Sequence, residues 1–249
     1  MARIFAVLAS VAWLSLVVNF FLGLWIGDFN AAAATYSQSL KQYKQVEAEK
    51  RAAEGSAANV YRDDRPAAKK KSAAADPKFE RASDEMAAAS AAFRTPRQRM
   101  TLHFYTGVAA SILVILVNSV TVTYFVGTSR WCKEVAETYD LPAEMQLRST
   151  AIKRRTFPWA FAGMLAMIGL ALLGSLSDPS IELNQAVPGR SASMVQWHYL
   201  AAMGALAFIA LTFAMQALRI AENYQAIEAI LTEVRRIRLE RGLPVSEAD

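Results

Sequence analysis

The sequence predicts an all-α integral membrane protein with four transmembrane helices, an extracytoplasmic helical hairpin and a cytoplasmic C-terminal helix. Three observations carry this. The stretches 4–26, 104–126, 157–176 and 199–218 total 86 residues and contain no Asp, Glu, Lys or Arg. A chain that is 20% charged would place about 17 charges there by chance. The stretches run 23, 23, 20 and 20 residues, and a hydrocarbon core of about 30 Å needs about 20 helical residues at 1.5 Å each. Their ends carry Trp25, Phe104, Tyr105, Tyr124, Trp131, Trp159, Trp197 and Tyr199, the distribution of an interfacial aromatic belt. The 49 charges crowd into the other 163 residues, which excludes a single soluble globular domain, a disordered chain, a collagen and a disulfide-stapled domain.

The first span, 4–26, follows one basic residue, Arg3. Its apolar run is about twice the 7–15 residues of a signal-peptide core, which favours an uncleaved signal anchor. Residues 27–102 are too many for a simple connector and read as an extracytoplasmic helical hairpin. Its descending arm carries Tyr36, Leu40 and Tyr43 at helical spacing. Its ascending arm opens with Asp76 and Pro77, an N-cap and a first-turn proline, and then repeats Phe79, Ala82, Met86, Ala89 and Phe93 as one apolar seam. Between the arms, 55–75 mixes Ala and Ser with charge and reads as a disordered tip. Thr95-Pro96 predicts a break or kink before the second span.

The second span, 104–126, contains the strand-like run Ile-Leu-Val-Ile-Leu-Val at 112–117. It continues uncharged far beyond the about eight residues of a buried strand, and it lacks the polar alternation of a barrel strand. Residues 127–156 form a cytoplasmic loop with Pro142 at its middle, predicted as two short helices, 129–139 and 143–153. The third span is 157–176, the short extracytoplasmic loop 177–198 and the fourth span 199–218. In the cytoplasmic helix and tail, 219–249, the residues Ile220, Asn223, Ile227, Ile230, Val234 and Ile237 keep a 3,4 spacing, with Gly242 and Pro244 as a stop. Asn223 occupies the place of a register-setting polar residue in a coiled coil. That seam needs a cover, either a second copy or the 127–156 loop.

Orientation follows from basic residues near the spans. Eleven fall on the N-terminal side of the membrane and six on the other, with Lys153, Arg154 and Arg155 against the lone Arg190 supplying most of the contrast. Both termini are therefore expected in the cytoplasm, in a cell membrane, plasma or inner.

Chemistry-bearing patterns are sparse. Cys132 is the only cysteine, so no intrachain disulfide or cysteine metal site forms. His103 and His198 both sit at extracytoplasmic span ends, where amphipathic anchoring explains them better than a haem or metal between helices. No ionisable residue lies at membrane depth. The polar residues there are Ser15 and Asn19, then Asn118, Ser119, Thr121 and Thr123, then Thr212 and Gln216. They read as interhelical hydrogen-bonding groups before they read as the lining of a pore for a neutral solute. Ala162 with Ala166 and Ala201 with Ala205 have the spacing of close helix contacts. Phosphate loops, nucleophile elbows and metalloprotease motifs are absent. The expectation is a non-enzymatic structural or accessory membrane protein with no catalytic, cofactor or metal residues. Its expected partners are the lipid bilayer and either a second copy or another membrane protein, met through 76–95 and 220–237. Despite a pI of 9.4 no nucleic acid is expected, because the basic residues lie beside the membrane or among acids. The alternatives are a signalling module whose hairpin dimerises and a small pore or carrier.

Overall fold

A computed structural model of the chain describes residues 1–60, 76–179, 181 and 190–244. Among these, 93% are helical and none lies in a strand. Five helices follow in order: α1, Ala2–Trp25; α2, Phe29–Val60; α3, Pro77–Tyr139; α4, Ala143–Ser177; and α5, Arg190–Glu240. Four of them, α1, α3, α4 and α5, are long and apolar enough to cross a membrane.

Local chemistry sets the helix ends. Gly27 turns the chain with φ +78°, and Asp28 caps α2 by accepting the Ala31 amide at 3.0 Å. Asp76 caps α3 as the sequence predicts, accepting the Lys78 amide at 3.0 Å with Pro77 in the first turn. After α3, Asp140 takes the left-handed conformation at φ 53° while the Leu141 amide reaches back to the Ala136 carbonyl at 2.9 Å. After α5, Gly242 does the same at φ 65°. The Leu243 amide meets the Arg238 carbonyl and the Gly242 amide meets that of Leu239, a Schellman stop.

Several expected boundaries move. α3 runs unbroken through Pro96, and α4 through Pro158. Each proline forfeits one backbone hydrogen bond, but Ala92 and Arg154, whose carbonyls are freed, are exposed. Packing holds the helix before Pro96, and the apolar span after it has no non-helical option in lipid. The first part of the expected disordered tip, 55–60, is the end of α2, whose Ala-rich sequence has nothing to stop it. The rest of the tip, 61–75, lies outside the described residues. The expected short helices 129–139 and 143–153 are the ends of α3 and α4, separated only by the turn at 140–142. Part of the expected 177–198 loop, from Arg190 on, is already α5, while 180 and 182–189 lie outside the described residues.

The chain divides into two compact units. One comprises Leu22–Phe104 and Leu176–Met194. Here α2 lies along the start of α3, with Tyr36 stacked on Phe93 at 5.3 Å between ring centroids and Tyr43 against Phe79 at 5.5 Å. Ala82 and Ala89 of the predicted seam are buried between them. Arg99 fastens the end of α1, donating to the Trp25 carbonyl at 3.0 Å with its guanidinium 4.3 Å above the Trp25 ring.

The other unit comprises Met1–Phe21, Tyr105–Ser175 and Val195–Asp249. Its main core draws Phe5 and Leu16 from α1, Val114 and Phe125 from α3, Met167 from α4, and Ile209 and Phe213 from α5. A second cluster joins Cys132, Ala136 and Leu141 to Ile230, with Trp131, Ile227, Val234 and Ile237 at its edge. The α5 seam is thus covered by residues from the 127–156 region of the same chain.

The left-handed Asp140 makes a first prediction. Asp140→Gly should raise the melting temperature in detergent, by up to about 1 kcal/mol of stability, because glycine carries no Cβ penalty there. Asp140→Val should lower it. Equal melting curves for all three proteins would show that the turn is not strained.

Candidate functional site

The side chains with most to lose from burial in an apolar core are amides and hydroxyls, so the site is built from where they point. Asn118, Thr121, Thr212, Gln216 and Asn223 are all fully buried or within 1% of it. Asn118 lies on α3 and donates to its own helix at the Val114 carbonyl, 2.8 Å. Its Oδ1 accepts from Gln216 Nε2 of α5 at 2.7 Å. The Thr121 hydroxyl stands 3.1 Å from Gln216 Oε1 and 3.0 Å from the Val117 carbonyl. One hydroxyl hydrogen serves those two acceptors in turn. Gly163 of α4 closes the third side, where a Cβ would sit 3.2 Å from both the amide nitrogen and oxygen of Asn118.

A second knot lies further along the same helices. Asn223 of α5 accepts from Ser149 of α4 at 2.9 Å, and its amide nitrogen donates to Thr128 Oγ1 at 3.0 Å and Tyr124 Oη at 3.2 Å on α3. Asn223, read from the sequence as a coiled-coil register residue, is here bonded to two other helices of its own chain. The sequence did show its polar intrusion in an apolar seam, but Ser149 and Thr128 carry no signal that marks them as its partners. Cys132, beside Ser149, is fully buried, and burial pushes its thiol up while the Ser149 hydrogen bond opposes the shift. A neutral, enclosed thiol is a packing group.

The remaining membrane-depth polar groups divide. Ser15, Ser119 and Thr123 bond back to carbonyls of their own helices at Val11, Ile115 and Ser119. Asn19 accepts from Thr106 at 2.7 Å and occupies the space left by Gly107, where a Cβ would meet its Nδ2 at 2.9 Å. Thr212 Oγ1 is buried without a partner among the described residues. Each histidine ring fills a notch left by a glycine: a Cβ on Gly23 would lie 3.1 Å from His103, and one on Gly174 3.1 Å from His198. Ala162, Ala166, Ala201 and Ala205, expected at close contacts, are only half-buried; Ala9, Ala12, Ala160 and Gly163 hold those places.

Among the described residues no three His, Cys, Asp or Glu side chains converge as metal ligands. Two open clefts stand out among the described residues. One of about 730 Å³ is walled by Tyr36, Met86 and Phe93 with Arg94 and Arg97. The other, about 180 Å³, lies between Trp131, Tyr139, Val234 and Arg238. Neither is lined by a carboxylate or imidazole, so neither offers an acid–base pair. The arrangement as a whole holds helices together.

That reading is measurable. Asn118→Leu and Gln216→Leu should each destabilise the detergent-solubilised protein, and the double variant should lose less than the sum, with a coupling of about 1 kcal/mol. Thr212→Val should raise stability, because it removes a hydroxyl that finds no partner. Strict additivity of the first pair would mean that the amides do not hold each other. No protein-family model matches the chain, and searches of curated proteins and of solved structures return no match.

Proposed function

We propose that this chain is a non-enzymatic multi-pass protein of the cell membrane, plasma or inner, acting as a structural or accessory subunit through helix contacts. Both termini are cytoplasmic, and α2 with the start of α3 forms an extracytoplasmic hairpin, an orientation supported by the basic residues at 153–155. The observation that carries the functional reading is the mutual closure of Asn118, Thr121 and Gln216. A lining for a solute needs polar groups that exchange partners with the solute, whereas these are spent on each other. The bilayer is the first partner and a second copy or another membrane protein the next. The apolar seams of 76–95 and 220–237 are engaged within the chain, so a protein meeting those segments meets their polar faces.

One observation favours the signalling alternative. α3 contributes to both compact units without a non-helical residue, where a hinge at Pro96 had been expected. We read this continuous helix as the carrier of a signal from hairpin to cytoplasmic helix.

With Cys132 replaced by Ser, single cysteines at Ser56 and Ser246 should differ toward an impermeant thiol reagent in intact cells: Ser56→Cys labels and Ser246→Cys does not. The reverse pattern inverts the orientation. Purified protein in liposomes should pass no neutral solute; a flux abolished by Asn118→Leu at unchanged stability would replace the structural reading with a pore.

A further inference from the structure

The burial pattern of the membrane helices repeats. On α1 the buried positions are Phe5, Ala9, Ala12 and Leu16; on α4, Thr156, Ala160, Gly163 and Met167 are buried, each 151 residues later. The same offset carries Gly23 to Gly174. On α3, Ala110, Val114, Val117, Asn118, Thr121 and Phe125 are buried; on α5, 95 residues later, Ile209, Thr212, Phe213, Gln216 and Ile220 are buried and Ala205 is half-buried. That offset carries His103 to His198.

Any two helices buried along one stripe match at some offset, so periodicity alone proves nothing. Here landmarks outside the stripe fix both offsets together. His103 fills the notch at Gly23, and its counterpart His198 fills the notch at the counterpart Gly174, with the same 3.1 Å approach. Contacts on a two-fold axis have a further property, that a residue meets its own equivalent. Thr121 bonds Gln216, and Asn223 bonds Thr128, both across the interval of 95.

We infer that the membrane bundle is built from two copies of one two-helix unit, α1 with α3 and α4 with α5, related by an approximate two-fold axis running between α3 and α5. Spans separated by an even number of crossings enter in the same direction, so the repeat is parallel and its axis lies along the membrane normal. The offsets differ by 56 residues, the extra length of the first connector, so α2 and the early part of α3 are an insertion carried by the first copy alone. The surface that a second subunit would occupy is filled by the chain's own second half.

The test exchanges the connectors in the full chain: residues 24–102 move between Gly174 and His198, and residues 175–197 move between Gly23 and His103. Equivalent copies predict a four-span protein of unchanged mass in detergent, a melting temperature close to that of the original, and a tip that an impermeant thiol reagent still reaches at Ser56→Cys. A second variant, in which a copy of 175–197 replaces 24–102, removes only the insertion. It is predicted to keep the bundle, because each short connector then spans the same Gly–His notch. Cooperative melting of either variant supports the repeat. Aggregation or non-cooperative melting of both overturns it.

Discussion

The contact on which the rest of the membrane unit depends is the hydrogen-bonded meeting of Asn118 and Thr121 with Gln216. An amide in an apolar core costs several kcal/mol if it is left unpaired and little if it is matched, so α3 and α5 have one acceptable register and one acceptable rotation. A slip of one residue would turn these groups toward lipid or toward aliphatic neighbours. The placement of α4 follows from it. Glycine at position 163 leaves room for the close approach of that helix, since a Cβ would stand a tight 3.2 Å from the Asn118 amide group. Apolar packing then fills the space this register defines, with Phe125, Met167 and Ile209 fully or almost fully enclosed.

A second constraint acts where the chain leaves the apolar stretches. Asn223 ties α5 to α4 and α3 through Ser149, Thr128 and Tyr124. Beyond that knot the cluster of Cys132, Ala136, Leu141 and Ile230 takes over. The turn at Asp140 gives the Ala136 carbonyl of α3 a partner, and the Schellman stop at Gly242 does the same for the Arg238 and Leu239 carbonyls of α5. Polar contacts set the alignment, and aliphatic burial supplies the area that holds it.

The sequence showed the spans because lipid leaves no latitude over charge, and it showed Asp76-Pro77 and Gly242 because capping is local chemistry. It showed the Phe79–Phe93 and Ile227–Ile237 seams because their periodicity is visible in a single chain. It did not show continuity through Pro96, which is settled by what flanks the proline and not by the dipeptide. The tight small-residue contacts fell to Ala9, Ala12, Ala160 and Gly163 instead of the Ala162 and Ala201 pairs, since alanine is common in every span and rotation is a tertiary property. For the candidate site, Asn118 and Gln216 stood out as amides at depth, whereas their pairing and the role of Asn223 required the third dimension. The internal repeat was hidden most completely. Phe5 corresponds to Thr156, Leu16 to Met167 and Val117 to Thr212, so burial is repeated while residue identity is not.

Divergence between the two halves has a physical use. Were the copies identical, every position on the axis would face itself, and either half would pair as well with the same half of another chain. The polar positions remove that equivalence. Gln216 satisfies Asn118 and Thr121 together, but its own counterpart on α3 is Thr121, and the counterpart of Asn118 is Phe213. Two α3 helices meeting through this face would set Asn118 and Thr121 against each other without the long amide that bridges them. Two α5 helices would bury a pair of glutamines against phenylalanines. In the bundle Gln216 serves Asn118 and Thr121 at once, an arrangement that neither mispairing reproduces. The asymmetry of a few side chains across an otherwise repeated frame thus distinguishes the chain's own second half from a copy of its first.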